Sequence, residues 1–263
     1  MPTVLRSGRV VHYTQHGEGP GVVLVPGLGS GATLFGTLPR RFARAGFTCC
    51  AVDPVGFPPS GSLPGGVFDF AAAAEDVRAV AATLPKPVAL IGTSLGGKIA
   101  LTAAAAARSS VAGRLVMLSS SALPTPRSKR IHRWFELLCT QVDAGLLGEL
   151  TAPFLFGETF LNARPGVVDD IVRSQKSTEE TRALMRAQAL ALQAFDGTNL
   201  CAGVTWPTLC LAGAEDCLTP PSEVSATAAR ITGALYHCVD GAGHSLLLES
   251  AAAFDRIVAF LRN

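Results

Sequence analysis

One serine of the sequence lies in a setting that could make its hydroxyl a nucleophile. Ser94 is the central residue of a Gly-Thr-Ser-Leu-Gly stretch at positions 92–96. An apolar run precedes this stretch and a helix-forming run follows it, which predicts a strand, a sharp turn and a helix. Flanking glycines relieve crowding around such a strained turn. The backbone N–H of Leu95, at the helix start, would face the negative charge that develops when a carbonyl is attacked.

A second glycine-rich turn could add to the same charge-stabilising site. The sequence Pro-Gly-Leu-Gly-Ser at positions 26–30 directly follows an apolar run of strand length. A backbone N–H in a turn of this kind can donate to an oxyanion, and we assign that donor to Leu28. Without the serine motif, these residues would predict only a strand-to-helix loop.

A serine hydroxyl is a weak nucleophile until a base takes its proton, and a base that works near neutral pH points to histidine. His244 lies in a Gly-Ala-Gly-His-Ser loop at positions 241–245, between the last predicted strand and the last predicted helix. Such a loop can place an imidazole at the sheet edge that carries Ser94. The other histidines are predicted in a hairpin (His12 and His16), in a strand (His237) and on a helix surface (His132).

The imidazole in turn needs a carboxylate that fixes its tautomer and stabilises its charged form. Asp216 follows an apolar run of strand length, in a loop that also contains Glu215. Glu215 is therefore a competing candidate for the same role, and either carboxylate could instead be an ordinary loop residue. The chain order of nucleophile, acid and histidine is the order expected when all three act together on one sheet, which favours the catalytic interpretation.

These residues need a framework that brings them to one edge. Apolar runs of strand length alternate with longer helical patterns, which predicts βαβ units and a mostly parallel sheet. The predicted strands are 22–25, 47–52, 87–91, 115–118, 208–211 and 235–239, after a hairpin of 4–6 and 9–13 that flanks Ser7 and Gly8. The predicted helices of this framework are 34–45, 70–84, 94–107, 222–231 and 246–261.

Residues 121–196 interrupt the alternation, because they contain helical patterns and no strand pattern. This stretch is longer than an ordinary crossover requires. We interpret it as a helical cap over the strand ends, and simple crossover helices are the alternative. The predicted helices of the stretch are 131–139, 142–151, 167–175 and 178–195. The domain organisation is therefore a core of residues 1–120 and 197–263 with a cap at 121–196.

Aromatic side chains of the predicted cap could form an apolar substrate pocket. Trp134, Phe135 and Phe154 are the candidates, because small-molecule pockets are lined mainly by apolar and aromatic side chains. The alternative is that they only attach the cap to the core.

Composition limits the remaining possibilities. The chain is 48% hydrophobic and 16% charged, with a formal charge of +2, which predicts a compact globular protein. The densest positive cluster is interpreted as a solvated helix face, and nucleic acid is not an expected partner. This cluster consists of Arg127, Lys129, Arg130 and Arg133.

Cysteine usage and the absence of targeting patterns predict a cytoplasmic protein. The seven cysteines include no C-x-x-C pair, and we interpret them as reduced residues with a structural role. The first eleven residues lack the apolar stretch of a signal peptide, and no apolar run is long enough to span a membrane.

Together these stretches resemble the α/β-hydrolase superfamily, in the branch of small serine esterases with a helical cap. The resemblance covers nearly the whole chain outside the predicted cap. It is carried by the turns at 26–29, 53–60 and 92–97 and by the acid and histidine loops at 206–216 and 241–244. Two positions depart from the family pattern: Pro26 stands where a histidine is usual, and Pro58 where glycine is frequent. Both concern loop shape and remove no catalytic group.

The resemblance implies a mostly parallel central sheet flanked by helices, a helical cap insertion, and a triad of Ser94, His244 and Asp216. It implies no metal and no organic cofactor, and a small acyl compound as substrate. The expected reaction is hydrolysis of a carboxylic ester or thioester through an acyl-enzyme. The same triad also serves acyl transfer, carbon–carbon bond hydrolysis, lyase and perhydrolase reactions, and a non-catalytic ligand-binding member is a further alternative.

Overall fold

The computed structural model describes residues 2–6, 8–107, 113–143, 145–174 and 178–263. The strands are β1 (Thr3–Arg6), β2 (Arg9–His16), β3 (Gly21–Val25), β4 (Thr48–Asp53), β5 (Val88–Thr93), β6 (Gly113–Leu118), β7 (Thr208–Gly213) and β8 (Leu235–Val239). They form one eight-stranded sheet in the order β1-β2-β4-β3-β5-β6-β7-β8. The pairs β1–β2 and β2–β4 are antiparallel and all other pairs are parallel. The predicted fold class is therefore confirmed.

The strands are predictable because they are buried on both faces. Every residue of β3, β4 and β7 is buried, as expected for parallel strands covered by helices on two sides. Side chains alternate between the two helical layers. In β3, Val23 and Val25 join one apolar cluster, whereas Val22 and Leu24 join the other. The predicted hairpin also forms, although Ser7 lies outside the described residues.

The described helices lie on both faces of the sheet and in a long segment between β6 and β7. They are α1 (Leu38–Arg44), α2 (Phe70–Ala81), α3 (Leu95–Ala105), α4 (Pro126–Gln141), α5 (Leu147–Leu155), α6 (Glu158–Ala163), α7 (Pro165–Ser174), α8 (Glu179–Ala194), α9 (Thr198–Gly203), α10 (Pro221–Ala228), α11 (Leu246–Glu249) and α12 (Ala251–Arg262). Helices α2, α3 and α10 bury their apolar faces in one cluster, and α1 and α12 in the other.

Two helices that the sequence predicts as continuous are each broken. The predicted helix 34–45 is interrupted at Gly36, which has a φ of 48° that glycine adopts readily. The predicted helix 246–261 stops before Ser250, which is extended and whose hydroxyl accepts a hydrogen bond from the N–H of Ala253. That cap starts a new helix. Both predictions are wrong in this respect because the apolar pattern continues across the break.

The segment between β6 and β7 differs from the prediction mainly at its helix ends. α4 begins at Pro126, earlier than predicted, because Thr125 and Ser128 form a reciprocal capping box. The predicted helix 142–151 is wrong at its start: α5 begins only at Leu147, after a turn in which the Asp143 carboxylate accepts from the N–H of Gly145. The short helices α6 and α9 have no counterpart in the prediction. Gln175, the predicted end of α7, lies outside the described residues.

The cysteines are all free thiols. Cys49, Cys50, Cys139, Cys201 and Cys210 are buried, and Cys238 is half-buried, which agrees with their interpretation as small hydrophobic residues. Burial raises the pKa of the Cys50 thiol to about 12. Cys217 differs, because it is exposed beside Asp216.

Within the described ranges, no helix is at once long and apolar enough to cross a membrane.

The tightest backbone contact lies where β3 ends and α3 begins. A Cβ atom added to Gly96 would lie 2.1 Å from the backbone oxygen of Val25. A Cβ atom on Gly92 would lie 2.1 Å from the oxygen of Gly96. Such distances cannot be accommodated without moving the backbone, so glycine at both positions lets α3 sit directly on the sheet edge.

We expect Gly96→Ala to destabilise the protein by about 2–3 kcal/mol or more, because the added methyl group must displace backbone atoms. Urea denaturation measures this change. Gly166→Ala is the matched control, since a Cβ atom there meets nothing within 4 Å and the residue lies in the first turn of α7. That control should be neutral or slightly stabilising. Equal stability of the two variants would contradict the inferred close packing.

Candidate active site

Ser94 is held in a strained backbone conformation between β5 and α3. Its φ is 53° and its ψ is −118°, a region that is costly for a residue with a Cβ atom. Neighbouring elements hold it in place: its N–H donates to the Leu118 oxygen at 2.9 Å, and its carbonyl accepts from the Ser120 hydroxyl at 2.7 Å. The turn therefore presents a half-buried serine side chain at the carboxyl edge of the sheet.

The turn after β3 lies beside this serine. A Cβ atom added to Gly27 would be 3.6 Å from the Cβ atom of Ser94, an ordinary contact distance. Leu28 follows Gly27, and Leu95 is the first residue of α3. In the part of the chain that the structure describes, the N–H groups of Leu28 and Leu95 donate to no other group. Two unpaired donors and the positive end of a helix dipole thus lie close to the serine.

His244 and Asp216 form a buried pair on the loops that follow β8 and β7. The Nδ1 atom of His244 lies 2.9 Å and 3.1 Å from the two carboxylate oxygens of Asp216. Asp216 also accepts from the N–H groups of Leu218 and Thr219, both at 2.9 Å. These bonds fix the carboxylate, and the carboxylate favours the tautomer with its proton on Nδ1. Among the described residues, the Nε2 atom of His244 makes no hydrogen bond.

Glu215, the competing acid, has a different partner. Its two carboxylate oxygens accept from the hydroxyl and the N–H of Thr159 in α6, at 2.5 Å and 2.8 Å. These hydrogen bonds lower the pKa of the Glu215 carboxyl. Of the two neighbouring acids, Asp216 contacts the imidazole and Glu215 ties its loop to α6.

The structure thus brings His244 and Asp216 into contact and places Ser94 on the same carboxyl edge. Across the described residues, the Ser94 hydroxyl makes no hydrogen bond. Catalytic hydrogen bonds are often long in a free enzyme and shorten when substrate binds. The chemistry available at this edge is therefore a serine hydroxyl, a carboxylate-held imidazole and two backbone donors.

His12 and Asp53 form a second histidine–carboxylate pair, with a structural role. His12 Nδ1 lies 2.6 Å from Asp53 Oδ2, and Asp53 Oδ1 accepts from the N–H of Ala32 at 2.7 Å. The nearby hydroxyl of Ser60 donates to the backbone oxygen of Asp53 at 2.6 Å, so it is bound to the loop rather than to the imidazole. This pair fixes the turn after β4.

His132 is not the surface residue that its helix predicts. Its Nδ1 atom is buried without a partner among the described residues, and burial lowers its pKa to about 4. Nearby, Lys98 of α3 donates to the Ser121 oxygen and lies 5.5 Å from the ring of Phe195. Burial lowers the pKa of Lys98 to about 8. These basic groups lie between α3 and α4, where the apolar surroundings disfavour their charged forms.

The aromatic residues of the predicted pocket form one cluster. The Trp134 ring lies 4.9 Å from that of Phe135 and 4.8 Å from that of Phe154. The cluster lies close to the Asp216 loop, because the backbone oxygen of Phe154 is 3.8 Å from Cys217 Sγ. Helix α4, which contains Trp134 and Phe135, also contains the predicted positive cluster, and all four of its basic side chains are exposed as predicted. One of them, Arg127, donates to backbone oxygens of the Asp216 loop.

A loop between α5 and α6 packs directly against the histidine loop. A Cβ atom on Gly243 would lie 2.2 Å from the nitrogen of Gly157, and the N–H of Ser245 donates to the Leu155 oxygen at 2.9 Å. The N–H groups of Gly157 and Gly243 both donate to one oxygen of Glu249, at 2.8 Å and 2.7 Å. Sequence reasoning missed Glu249, whose only signal is an acid within an apolar helix start.

A cavity of about 260 Å³ lies between the ends of β3 and β4 and helix α2. The ion pair of Arg9 and Asp76, 2.7 Å apart, forms part of its wall. It contains none of Ser94, Asp216 and His244, so its size gives no measure of a pocket at the serine. Within the described chain, no three His, Cys, Asp or Glu side chains converge as a metal site requires.

A serine on a strained strand-to-helix turn, with an imidazole–carboxylate pair at the same sheet edge, defines the class of the α/β hydrolases. The sequence profile of the alpha/beta hydrolase family matches residues 22–257. The chain belongs to that family.

Relatives and solved structures agree with this assignment. The chain is 29% identical to a pimeloyl-(acyl-carrier protein) methyl ester esterase of Xanthomonas campestris, over 95% of this chain and 100% of the relative. It is 27% identical to the serine hydrolase BPHL of Homo sapiens, over 95% of this chain and 82% of the relative. The structure of a thermophilic esterase from Thermogutta terrifontis superposes with a TM-score of 0.80 at 25% identity, covering 99% and 94% of the two chains. These relatives are named as hydrolases and esterases.

Glu249 should make stability depend on pH. Burial, helped by the nearby Asp216 charge, raises the pKa of its carboxyl above the ordinary 4.5, against the lowering effect of backbone hydrogen bonds. A carboxyl whose pKa is higher in the folded than in the unfolded state binds its proton more tightly when the protein is folded. Its contribution to the free energy of unfolding is fully present below the unfolded pKa, and it is lost as pH rises through the folded pKa. We therefore expect the free energy of unfolding of the wild type, relative to Glu249→Gln, to fall as pH rises from below 4.5 toward neutrality.

Urea denaturation at a series of pH values measures this difference. Glu158→Gln is the matched control, because Glu158 is an exposed acid in the neighbouring helix α6. If the difference in free energy of unfolding between the wild type and Glu249→Gln stays constant or grows with pH, burial does not raise the pKa of this carboxyl.

Proposed function

We propose that this chain is a serine hydrolase that cleaves a carboxylic ester or thioester through an acyl-enzyme, with Ser94, His244 and Asp216 as its triad. The observation that carries the proposal is the combination of the strained Ser94 turn with the buried pair of His244 and Asp216. Backbone strain of the kind found at Ser94 is concentrated at functional sites.

In the first half-reaction, the Ser94 hydroxyl oxygen attacks the substrate carbonyl and its proton passes to His244 Nε2. The carboxylate of Asp216, which accepts from Nδ1, stabilises the imidazolium that results. The carbonyl oxygen becomes an oxyanion, for which the N–H groups of Leu28 and Leu95 are the proposed donors. When the tetrahedral adduct collapses, the bond to the alcohol or thiol breaks, and His244 returns the proton to this leaving group.

In the second half-reaction, water replaces the leaving group. His244 Nε2 takes a proton from water as its oxygen attacks the acyl carbon, and the same two N–H groups hold the second oxyanion. Collapse then releases the carboxylic acid and returns the proton to Ser94. Each step uses only groups of this chain and water.

The relatives support an ester substrate. Those reported above are named as a methyl ester esterase, a serine hydrolase and an esterase. In an ester, the carbonyl carbon is bonded to an oxygen leaving group. The proposed triad is suited to cleave that bond.

The segment from α4 to α8 is proposed to act as the cap, corresponding to residues 121–196. Its contacts with the loops after four strands support this role. Gln188 of α8 binds the N–H of Gly29 after β3, and Leu184 packs near Gly56 after β4. Arg127 of α4 donates to Leu218 after β7, and the α5–α6 loop contacts the histidine loop after β8. Helix α9, which lies outside residues 121–196, packs against α3 of the core.

Trp134, Phe135 and Phe154 are proposed to border the substrate pocket. Their position next to the Asp216 loop supports this. The Phe154 side chain is 39% exposed, so part of its ring is available for a substrate.

Replacement of the triad should abolish turnover. Ser94→Ala or His244→Ala should lower kcat for a p-nitrophenyl ester by several orders of magnitude, since triad groups act as a unit. Asp216→Asn should be severe but milder than either. A fluorophosphonate probe should label the wild type at Ser94 and leave Ser94→Ala unlabelled. Ser60→Ala is the control, because its hydroxyl binds the Asp53 loop.

Near-wild-type ester turnover by a folded Ser94→Ala protein would rule out the serine mechanism. Circular dichroism and thermal melting of each variant establish that it is folded.

Truncation of the aromatic cluster should change substrate preference. Trp134→Ala and Phe154→Ala should shift the relative kcat/KM among esters of different acyl chain length, because the pocket wall recedes. Labelling of Ser94 should persist in both. Phe260→Ala is the matched control, as that ring packs near Arg114 in the second position of β6, at the opposite edge of the sheet. An unchanged chain-length profile in both aromatic variants would contradict the pocket assignment.

A further inference from the structure

A buried glutamine of α8 contacts the turn that carries the proposed oxyanion donor. Gln188 has no exposed surface. Its Oε1 atom accepts a 2.7 Å hydrogen bond from the backbone N–H of Gly29. Gly29 directly follows Leu28 and has a φ of 66°. The bond therefore links the helical segment to the turn that lies beside Ser94.

This bond restrains the peptide plane between Leu28 and Gly29. The N–H end of the plane donates to Gln188, and the carbonyl end accepts from the Ser30 hydroxyl at 3.3 Å. A glycine with positive φ has wide conformational freedom, so an unrestrained plane could rotate at little cost. Held at both ends, the plane limits rotation at Leu28, whose own N–H is the proposed oxyanion donor.

Packing alone would favour an apolar side chain at this position. The other buried residues of the same helix are Leu184, Ala187, Ala189 and Leu192. Because Gly29 supplies an N–H donor, the atom that faces it is the amide oxygen. The remaining Nε2 atom is buried and finds no acceptor in the described part of the chain. A buried polar group without a partner costs about 1–3 kcal/mol, so stability gives little reason for a glutamine rather than a methionine.

We propose that Gln188 is a positioning residue of the oxyanion hole, which holds the Gly29 N–H so that the Leu28 N–H faces the developing oxyanion. The proposal rests on the serine-hydrolase function proposed above. Gln188 itself touches no reacting atom. Its effect is on geometry, and a displacement of about 1 Å in such a site can lower a rate by about 100-fold.

The test replaces Gln188 with methionine, which keeps the side-chain length and accepts no comparable hydrogen bond. Gln193→Met is the matched control: the same change in the same helix, at a residue whose Nε2 donates to Glu136 at 3.1 Å. Three quantities are measured: kcat and KM for a p-nitrophenyl ester, the inhibition constant of a trifluoromethyl ketone, and Tm. The ketone forms a tetrahedral serine adduct whose oxyanion needs the same donors.

We expect kcat of Gln188→Met to fall by about 10- to 100-fold, with KM changed by less than about threefold, because the lost geometry acts on the transition state. The affinity for the trifluoromethyl ketone should fall by a similar factor, whereas Tm should stay near that of Gln193→Met. A purely structural role would instead lower Tm and leave the ketone affinity of the folded fraction unchanged.

Gln188→Glu keeps an oxygen acceptor for Gly29 and should retain more activity than Gln188→Met. If the methionine variant does not fold, the glutamate variant decides: kcat within about tenfold of wild type supports the proposal, and a larger loss in folded protein overturns it. The proposal is also overturned if Gln188→Met keeps the kcat and the ketone affinity of the wild type. It is overturned as well if kcat and ketone affinity fall equally in Gln193→Met. Failure of the wild type to react with a fluorophosphonate would count against the serine mechanism itself, a separate result.

Discussion

Two backbones meet where β3 ends and α3 begins, and this contact determines where the proposed active site can form. Gly92 and Gly96 have no room for a Cβ atom, because backbone oxygens of α3 and β3 occupy that space. Only this close approach lets α3 start immediately after β5, with Ser94 at the turn between them. The same approach places the turn of Gly27 and Leu28 against the serine. The strain at Ser94 is tolerated because hydrogen bonds to Leu118 and Ser120 hold the turn from the neighbouring strand.

The histidine loop depends on a different set of constraints. Hydrogen bonds from its own groups reach the Asp216 carboxylate, the Leu155 oxygen and the Glu249 carboxylate. The Ala242 oxygen of the loop also accepts from the N–H of Glu215 at 2.9 Å. Backbone N–H groups bind one oxygen of each carboxylate, two donating to Asp216 Oδ1 and two to Glu249 Oε2. Backbone donors are fixed by the fold, so they hold a charged group without requiring further side chains to be ordered.

How far the sequence predicts this arrangement depends on how local each signal is. Strands buried on both faces show as apolar runs, and the serine turn is a short motif, so both are predictable. The helix breaks at Gly36 and Ser250 are not, because the apolar period continues through them. Adjacent Glu215 and Asp216 cannot be distinguished by sequence position, and only the fold shows which of them faces the imidazole. Gln188 looks like a surface residue of an amphipathic helix until its partner loop is known.

The core and the helical segment therefore contribute to the site in different ways. Ser94, Asp216 and His244 come from the ends of core strands, whereas the groups that bind their loops come partly from the segment. Thr159 holds Glu215, Gly157 shares Glu249 with Gly243, and Gln188 holds Gly29. A segment that touched only substrate could change without affecting the triad. Because this one is hydrogen-bonded to the loops after β3, β7 and β8, a shift of its helices would move the proposed oxyanion donors and the proposed base together. In the proposed mechanism, selection of substrate by the segment is therefore coupled to the rate of the chemical step.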